Sequence, residues 1–209
     1  MGVVTISASY GCGGAEIAPL VAERLGLPFH DRAIPAQVAG RLGVPVAEAQ
    51  ANDETVVGGL WRLVASLGTM PDPVGGVLPV SGLPDARAYR EQTERILGEV
   101  ADGPGGVVLG RAAALVLGDR PDTLHVRLDA SPERRLSAAA GRTGRPLEEV
   151  RREMAAADRG REAYVRHFYR CDPAGPRHYH LVIDSTALPI ETVVDLIVTA
   201  ARARGIGSY

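Results

Sequence analysis

The chain has 209 residues, with 23 basic side chains against 25 acidic ones and a formal net charge of −2. All 23 basic side chains are arginine, which excludes any mechanism that needs a lysine amine, including the lysine of a standard phosphate loop. The near-zero net charge argues against a general nucleic-acid-binding protein. Two cysteines do not build a disulfide framework, and no segment has the pattern of a membrane span or a signal peptide. We therefore expect a cytoplasmic protein that binds neither nucleic acid nor a membrane.

The arginines are concentrated in one part of the chain. Between Arg134 and Arg177 there are 11 arginines and six acidic residues, a local net charge of +5, so the remainder carries −7. One interpretation is a solvated helix face with salt bridges. The other is an arginine lid that closes over a polyanionic ligand such as a nucleotide phosphate.

The first elements of the chain predict a βα unit. Residues 3–7 are a β-branched run that predicts a strand, and the glycine-rich turn Tyr10 to Gly14 follows. A helical pattern then ends at Gly26. A strand, a glycine turn and a helix in this order are typical of nucleotide-binding units.

The later elements alternate in the same way. Short apolar runs predict strands at 27–31, 107–109, 123–128 and 181–184, and helical patterns lie at 34–42, after Asp85, at 112–117, after Ser131, after Pro146 and at 189–202. Residues 56–84 are rich in glycine and proline and predict a semi-apolar insertion. The alternation predicts an α/β fold in which a parallel five-stranded sheet has helices on both faces.

Ligands of such sheets bind at the carboxyl ends of the strands. The glycine turn, Gly110-Arg111 and the loop after Leu128 all follow predicted strands. We therefore look for the functional site at this edge.

The glycine turn matches the phosphate-loop pattern GxxxxGK[ST] only in part. Gly13 takes the second glycine, whereas Ala8 stands at the first glycine, Gly14 at the lysine and Ala15 at the Mg²⁺-binding hydroxyl. Taken alone, the turn is equally consistent with a phosphate loop and with a tight strand-to-helix connection.

Several segments, in their order and spacing, nevertheless match one family. They are Thr5-Ile-Ser, Tyr10 to Ala18, Leu27 to Arg32, Val108 to Ala112, Asp119 to Asp122, Leu124 to Ala130 and Tyr179 to Ile183. Across nearly its whole length the chain resembles the cytidylate kinase-like family, a branch of the P-loop nucleoside monophosphate kinases. That branch often has an arginine on either side of the turn, where this chain has Ala8 and Ala15.

The resemblance implies a function and an organisation. It implies an ATP-dependent phosphotransferase that moves the γ-phosphoryl group to a nucleoside monophosphate such as CMP or dCMP, with ATP and Mg²⁺ bound. It implies one P-loop kinase-like domain over 1–209, with an acceptor-binding insertion at 32–102 and an arginine-rich lid at 141–177. The residues expected to bind the donor are Tyr10, Gly11, Cys12, Gly13, Gly14 and Ala15.

The resemblance also implies roles for individual charged residues. Arg111 would hold the acceptor's phosphate, Arg161 in Asp158-x-x-Arg161 would approach the transferred group, and Asp31 would lie near the acceptor. The residues themselves agree in part, because Arg111 follows a buried strand and Arg161 interrupts the apolar stripe of the helix after Pro146. That stripe is Leu147, Val150, Met154, Ala157, Tyr164, Val165 and Phe168.

Several assignments have alternatives. Arg159 and Arg166, on a second and basic face of the same helix, are further catalytic candidates, although such a face can simply be solvated. Asp31 and Asp129 can each cap a following helix, and Asp129 also resembles the acid of a phosphate or Mg²⁺ site. A helix N-terminus beside Cys12 would lower the pKa of its thiol.

Aromatic residues and histidines between 164 and 180 suit either a packed lid hinge or a surface that stacks on a base. We predict no metal-ligand set among the side chains, because Cys171 and the nearby histidines lack a fourth zinc ligand of matching spacing. Two alternatives to the kinase remain, a catalytically impaired nucleotide-binding protein and a kinase of another small-molecule acceptor. The sequence is consistent with a monomer or a homodimer.

Overall fold

The computed structural model describes residues 2–30, 86–110 and 112–207. The helix predicted at 34–42 and the insertion predicted at 56–84 lie outside these residues, as do Asp31, Asp85 and Arg111. Every other predicted strand and helix is present.

Five parallel strands form one sheet in the order β2-β3-β1-β4-β5. Their bounds are Val3–Ala8 (β1), Phe29–His30 (β2), Gly106–Leu109 (β3), Thr123–Asp129 (β4) and Leu181–Asp184 (β5). β1 is central, with Ile6 opposite Leu109 of β3 and Val126 of β4. The predicted α/β architecture is confirmed, and the carboxyl ends of β1, β3 and β4 lie side by side.

One face of the sheet carries the larger apolar core. Helix α1 (Gly14–Leu25) and the last helix, α6 (Ile190–Ala203), pack on this face against inward side chains of β1 such as Val4 and Ile6. Gly26 ends α1 in a left-handed conformation, as its sequence position predicts. The core is aliphatic because the chain has so few aromatic residues.

The opposite face carries a second core. Helices α2 (Ala86–Asp102) and α3 (Ala113–Leu117) cover Val3 of β1 and Val108 of β3 there. Alternate strand residues therefore point to opposite, covered faces, which is the arrangement expected of a parallel sheet. Helices lie on both faces, as predicted.

On this second face of the sheet the side chains of β4 are polar, and His125 among them is buried. His125 is 3% exposed, its Nδ1 lies 2.7 Å from the Thr5 hydroxyl, and its Nε2 lies 2.8 Å from the Gly118 carbonyl oxygen. The ring stacks on His180 with 5.1 Å between centroids. Burial lowers the pKa of His125, an effect that the Gly118 bond opposes. The ring is therefore held in its neutral form, with Nε2 donating to Gly118 and Nδ1 accepting from Thr5.

Two helices after β4 form an antiparallel pair over the loop edge of the sheet. α4 (Pro132–Thr143) begins at the predicted cap Ser131, whose hydroxyl accepts from the Arg134 N–H. α5 (Leu147–Tyr169), which we call the lid helix, packs Val150 and Met154 against α4. The predicted apolar stripe is buried at most positions, but Leu147 is 54% exposed, because it lies in the first turn beyond the contact with α4.

The aromatic residues at the end of the lid helix join it to α2. Tyr164 and Phe168 lie 4.8 Å apart between ring centroids, and the guanidinium of Arg90 lies 5.5 Å from the Phe168 centroid. The Tyr169 hydroxyl donates to Glu94 at 3.0 Å. These contacts anchor the carboxyl end of the lid helix on the sheet domain.

Within the described ranges, no helix is long and apolar enough to cross a membrane.

Candidate functional site

The glycine turn is a wide loop between β1 and α1. Gly11 and Gly13 have φ values of 88° and 72°, a region that side chains with a Cβ rarely enter, and Gly13 is the N-cap of α1. The Ser9 N–H donates to Leu128 of β4 at 3.0 Å, and the Cys12 N–H closes the turn on the Ser9 carbonyl at 3.1 Å. The loop is therefore fixed at both ends by backbone hydrogen bonds.

The backbone N–H groups of this loop are largely free. The N–H groups of Gly11, Gly13, Gly14 and Ala15 donate no hydrogen bond to any acceptor among the described residues. Successive free amides at the start of a helix attract anions through their own dipoles and through the helix dipole. The loop thus has the chemistry of a phosphate-binding nest.

Packing excludes a side chain at the position of the standard lysine. An ideal Cβ built on Gly14 would lie 2.5 Å from the Cβ of Ala8 and 3.2 Å from a methyl group of Leu109. Gly14 is buried, whereas Ala15 is exposed. Positive charge for a phosphate must therefore come from outside the loop.

Arg161 of the lid helix is a positive charge that interacts electrostatically with Cys12 of the loop. Its Nη1 is buried and has no hydrogen-bond acceptor in the part of the chain that the structure describes. Burial lowers the pKa of the guanidinium, while Asp158 raises it, and Arg127, Arg135 and Cys12 of the loop are its further electrostatic neighbours. A buried cationic donor without an acceptor is costly, so this group is suited to an anionic ligand.

Arg127 joins the loop, β4 and the segment after the lid helix. Its guanidinium donates to Asp129 at 3.0 and 3.1 Å, to the Ser9 hydroxyl at 3.0 Å and to the Pro173 carbonyl at 3.1 Å. The Tyr179 hydroxyl donates to the same carbonyl at 2.8 Å. This network ties the chain that follows the lid helix to the start of the loop.

Asp129 is the carboxylate of this network. Burial raises its pKa, but the Ser9 hydroxyl, Arg127 and the Ala130 N–H together hold the pKa below its ordinary value. Asp129 is therefore ionised at the carboxyl end of β4. It lies opposite Asp184 of β5 in the sheet register.

Arg135 of α4 lies between the loop and the lid helix. It is 8% exposed, and its Nη1 donates to Asp158 at 2.8 Å and to the Tyr10 carbonyl at 3.3 Å. The ring of Tyr10 packs on the apolar contact between α4 and the lid helix. Asp158 is thus engaged by Arg135, which leaves Arg161 without a complete partner.

The structure separates the three predicted catalytic arginines. Arg161 lies beside the loop, but Arg159 and Arg166 are exposed, and Arg166 pairs with Glu162 at 2.7 Å. Asp31 and Arg111 lie outside the described residues. Gly110 precedes Arg111 in the chain, and its N–H donates a hydrogen bond to the Ile6 carbonyl at 2.9 Å. The chain at position 110 is therefore held next to the end of β1.

The expectation for Cys12 is wrong. Cys12 is 2% exposed, and burial raises the pKa of its thiol despite a hydrogen bond with Ser185. Desolvation outweighs the helix dipole because the side chain points into the core rather than along the free amides. The thiol is a packing group.

Sequence reasoning missed Arg127, Arg135 and Ser185. Ser185 is buried, and its hydroxyl donates to the Cys12 carbonyl at 2.8 Å. A signal for Arg127 was present, since His125, Arg127 and Asp129 alternate as polar residues along one face of β4. The other two carry no local signal, because their partners lie 125 and 173 residues away in sequence.

The sheet order and the glycine loop after the central strand define the P-loop kinase fold, and similar solved structures confirm it. A protein of Eubacterium ventriosum superposes with a TM-score of 0.68 at 15% identity, covering 97% of this chain and 99% of its own. Shikimate kinase from Bacteroides thetaiotaomicron superposes with a TM-score of 0.50 at 14% identity, covering 97% of this chain and 96% of its own. A gluconokinase from Sinorhizobium meliloti superposes with a TM-score of 0.50 at 17% identity, covering 98% of this chain and 93% of its own.

The chain belongs to the cytidylate kinase-like family, whose model matches residues 3–187. Among curated proteins, the uronate isomerase of Corynebacterium glutamicum is 35% identical over 144 residues, which are 68% of this chain. The match spans only 27% of the length of that protein. The predicted family is therefore confirmed.

Proposed function

We propose that the protein is an ATP-dependent phosphotransferase whose acceptor is a nucleoside monophosphate such as CMP or dCMP. The observation that carries this proposal is the buried Nη1 of Arg161, which has no acceptor among the described residues and belongs to a guanidinium that interacts electrostatically with Cys12 of the loop. Phosphoryl transfer needs mainly positioning and neutralisation of charge on the phosphoryl oxygens. Membership in the cytidylate kinase-like family supports the same chemistry.

The glycine loop would bind the phosphates of ATP. The N–H groups of Gly11, Gly13, Gly14 and Ala15 would donate to the phosphate oxygens, and Arg161 would face the transferred group. Tyr10 would contribute its backbone only, because its ring packs into an apolar contact. Cys12 would shape the loop without donating to a phosphate, because its N–H is bonded to the Ser9 carbonyl and its side chain packs in the core. Arg159 and Arg166 would add positive charge on the outer face of the lid helix.

The base of the donor would lie in a groove beside the loop. Arg134, Ser137 and Ala138 of α4 line one side of it, and Thr186 and Ala187 line the other. Arg134 is fixed by a 2.8 Å ion pair with Asp184, so its planar guanidinium is held at the edge of the groove. A planar cation of this kind stacks on aromatic rings.

The acceptor would bind on the other side of the loop. Arg111 follows the end of β3 and would hold the acceptor's phosphate, and Asp31, after β2, would lie near it. In this proposal residues 1–209 form one domain, in which residues 32–102 are an acceptor-binding insertion and residues 141–177 are a lid. Closure of the lid would exclude water and limit hydrolysis of ATP.

Mg²⁺ fits the oxygen chemistry of this edge. Within the described ranges no three metal-ligating side chains cluster, but Mg²⁺ is usually held by one or two carboxylates together with substrate phosphates. The ionised carboxylate of Asp129 would hold the ion that ATP carries. When bound, Mg²⁺ would neutralise charge on the donor phosphates.

A second acceptor class is favoured by one comparison. The relative from Corynebacterium glutamicum is a uronate isomerase, and the matching segment is about a quarter of its length. A kinase that acts on a sugar acid is therefore the alternative proposal. In this version Arg111 would bind the carboxylate of the acceptor rather than a phosphate, since a guanidinium suits both groups.

The experiment is an assay of ADP release with ATP and Mg²⁺. The acceptor panel contains CMP, dCMP, UMP and AMP in one arm, and gluconate, glucuronate and galacturonate in the other. Turnover with the first arm supports the nucleoside monophosphate kinase, and turnover with the second supports the sugar-acid kinase. ATP binding by calorimetry without turnover in either arm would support the catalytically impaired nucleotide-binding protein.

A matched pair of variants tests the role of Arg161. We expect Arg161→Gln to lower the rate by about 100-fold or more, which is typical when a transition-state donor is removed. Arg151→Gln is the control, because Arg151 lies on the same helix, is exposed and, within the described part of the chain, pairs with Glu148 alone. Equal rates for the two variants would contradict the proposal.

We further propose a cytoplasmic enzyme that is a monomer or a homodimer.

A further inference from the structure

Three consecutive carbonyl groups of the glycine loop accept hydrogen bonds from side chains outside it. The Tyr10 carbonyl accepts from Arg135 Nη1 at 3.3 Å, the Gly11 carbonyl accepts from Arg142 Nη2, and the Cys12 carbonyl accepts from the Ser185 hydroxyl at 2.8 Å. The two arginines come from α4, and Ser185 comes from the turn after β5. The loop is thus held from outside along three successive peptide groups.

This arrangement determines where the amides point. In a trans peptide the C=O of one residue and the N–H of the next point in opposite directions. Because the three carbonyls face α4 and the β5 turn, the N–H groups of Gly11, Cys12 and Gly13 face the inner side of the loop. Cys12 uses its N–H to close the turn on Ser9, whereas those of Gly11 and Gly13 find no acceptor among the described residues.

We propose that Arg142 and Ser185, together with Arg135, are positioning residues that hold the glycine loop in its phosphate-binding conformation. The proposal rests on the proposed function, in which the anion is the phosphate chain of a nucleoside triphosphate. We call these three residues the carbonyl clamp. The clamp acts through the backbone, so its members do not themselves contact the phosphates.

The surroundings of the clamp fit a positioning role. Ser185 is buried, so its hydroxyl has few other partners. The charge of Arg142 is balanced by Glu16, with 3.5 Å between Nε and the carboxylate. An ideal Cβ on Gly11 would strike the backbone carbonyl of Arg135, so the loop lies in direct contact with α4. Both close packing and hydrogen bonds therefore fix the loop.

The test compares Arg142→Met and Ser185→Ala with the wild-type protein. Binding of ATP–Mg²⁺ and of inorganic tripolyphosphate is measured by calorimetry, and exchange of the Cys12 amide, which is bonded to the Ser9 carbonyl, is measured by NMR in the free protein. We expect about tenfold weaker binding of both ligands by each variant, in line with the loss of one hydrogen bond to an ordered backbone group. We also expect faster exchange of the Cys12 amide. Arg142→Lys and Ser185→Thr keep a donor and should restore most of the affinity.

Arg202→Met is the matched control. Arg202 also lies in the last turn of its helix and donates to a backbone carbonyl of the α1 region, that of Arg24, but at the far end of α1. If the wild-type protein binds both ligands and Arg142→Met and Ser185→Ala bind them with the same affinity, the carbonyl clamp is overturned and the proposed function stands. The same conclusion follows if Arg202→Met loses as much affinity as the clamp variants. Failure of the wild-type protein to bind either ligand would overturn both.

Discussion

The carboxylate of Asp158 accepts a 2.8 Å hydrogen bond from Arg135, although Arg161 lies one turn further along the same helix. Asp158 is thus shared between two arginines, and the buried Nη1 of Arg161 has no acceptor among residues 2–30, 86–110 and 112–207. Such an arrangement stabilises the position of the lid helix at the expense of an unsatisfied cation. Functional sites commonly trade stability in this way.

The first prediction follows from this trade. We expect Arg161→Met to raise the free energy of unfolding by about 1 kcal/mol, because it removes a desolvated charge that lacks a full partner. The same change should lower the rate of phosphoryl transfer by about 100-fold or more. Urea unfolding at pH 7.5 and the ADP-release assay measure the two effects. Arg151→Met, on the exposed side of the helix, should change neither, and a clear loss of stability in Arg161→Met would show that its guanidinium is satisfied in the free protein.

The second prediction concerns the position of the missing lysine. We expect Gly14→Ala to destabilise the protein by about 2 kcal/mol, because its Cβ would lie 2.5 Å from that of Ala8. Adding Ala8→Gly should recover part of the loss, so that the two changes are not additive. Ala15→Lys, at an exposed position, should stay within about 0.5 kcal/mol of the wild type. Thermal unfolding of the wild type, both single variants, the double variant and Ala15→Lys checks this, and a stable Gly14→Ala single variant would contradict the packing argument.

The third prediction concerns Arg127 and Asp129. Replacing Arg127 with Met leaves a partly buried carboxylate without its cation, and we expect a loss of about 3 kcal/mol. The double variant Arg127→Met/Asp129→Asn should be more stable than Arg127→Met alone, because the uncompensated charge is gone. A double-mutant cycle by urea unfolding measures the coupling. Strictly additive effects would show that the two side chains act independently.

The fourth prediction is a pH dependence that originates at His125. Burial lowers the pKa of the folded state below the value of about 6.5 that an exposed histidine has in the unfolded chain. Between these two values the unfolded state binds the additional proton, so stability falls as the pH drops below about 6.5. The free energy of unfolding should therefore decrease from pH 7.5 to pH 5.5.

A variant separates this effect from other titrations. His125→Gln removes the ionisable ring and should reduce the slope of stability against pH, even though it lowers stability at pH 7.5. The slope that remains would come partly from His180, whose pKa burial also lowers. An unchanged slope in His125→Gln would place the titrating group elsewhere.

The fold could be predicted from the sequence because its signals are local. Gly26, Ser131 and Pro132 mark helix ends through their own backbone preferences, and the β-branched run before Ala8 predicts the central strand wherever it lies in the sheet. The order of the strands could not be predicted, because it depends on pairing between segments that are far apart in sequence. The spacing of Leu147 fits the apolar stripe and predicts a core position, whereas its side chain is 54% exposed and lies outside the apolar cluster of Val150 and Met154.

The site could be predicted only in outline. Arg161 was found because an arginine within an apolar stripe conflicts with its surroundings. Arg159 and Arg166 looked similar in composition, but the helix turns them to the exposed side. Ser185 and Arg135 act on the loop through tertiary hydrogen bonds, and nothing in their own segments indicates these partners.

The contact between Ala8 and Gly14 also limits how this chain can change over time. A lysine at position 14 would have to displace the methyl group of Ala8, so the standard lysine can be accommodated only together with a second change at position 8. The standard loop also needs a hydroxyl at position 15, where this chain has Ala15. Three substitutions, two of them coupled by packing, thus separate this loop from the standard one.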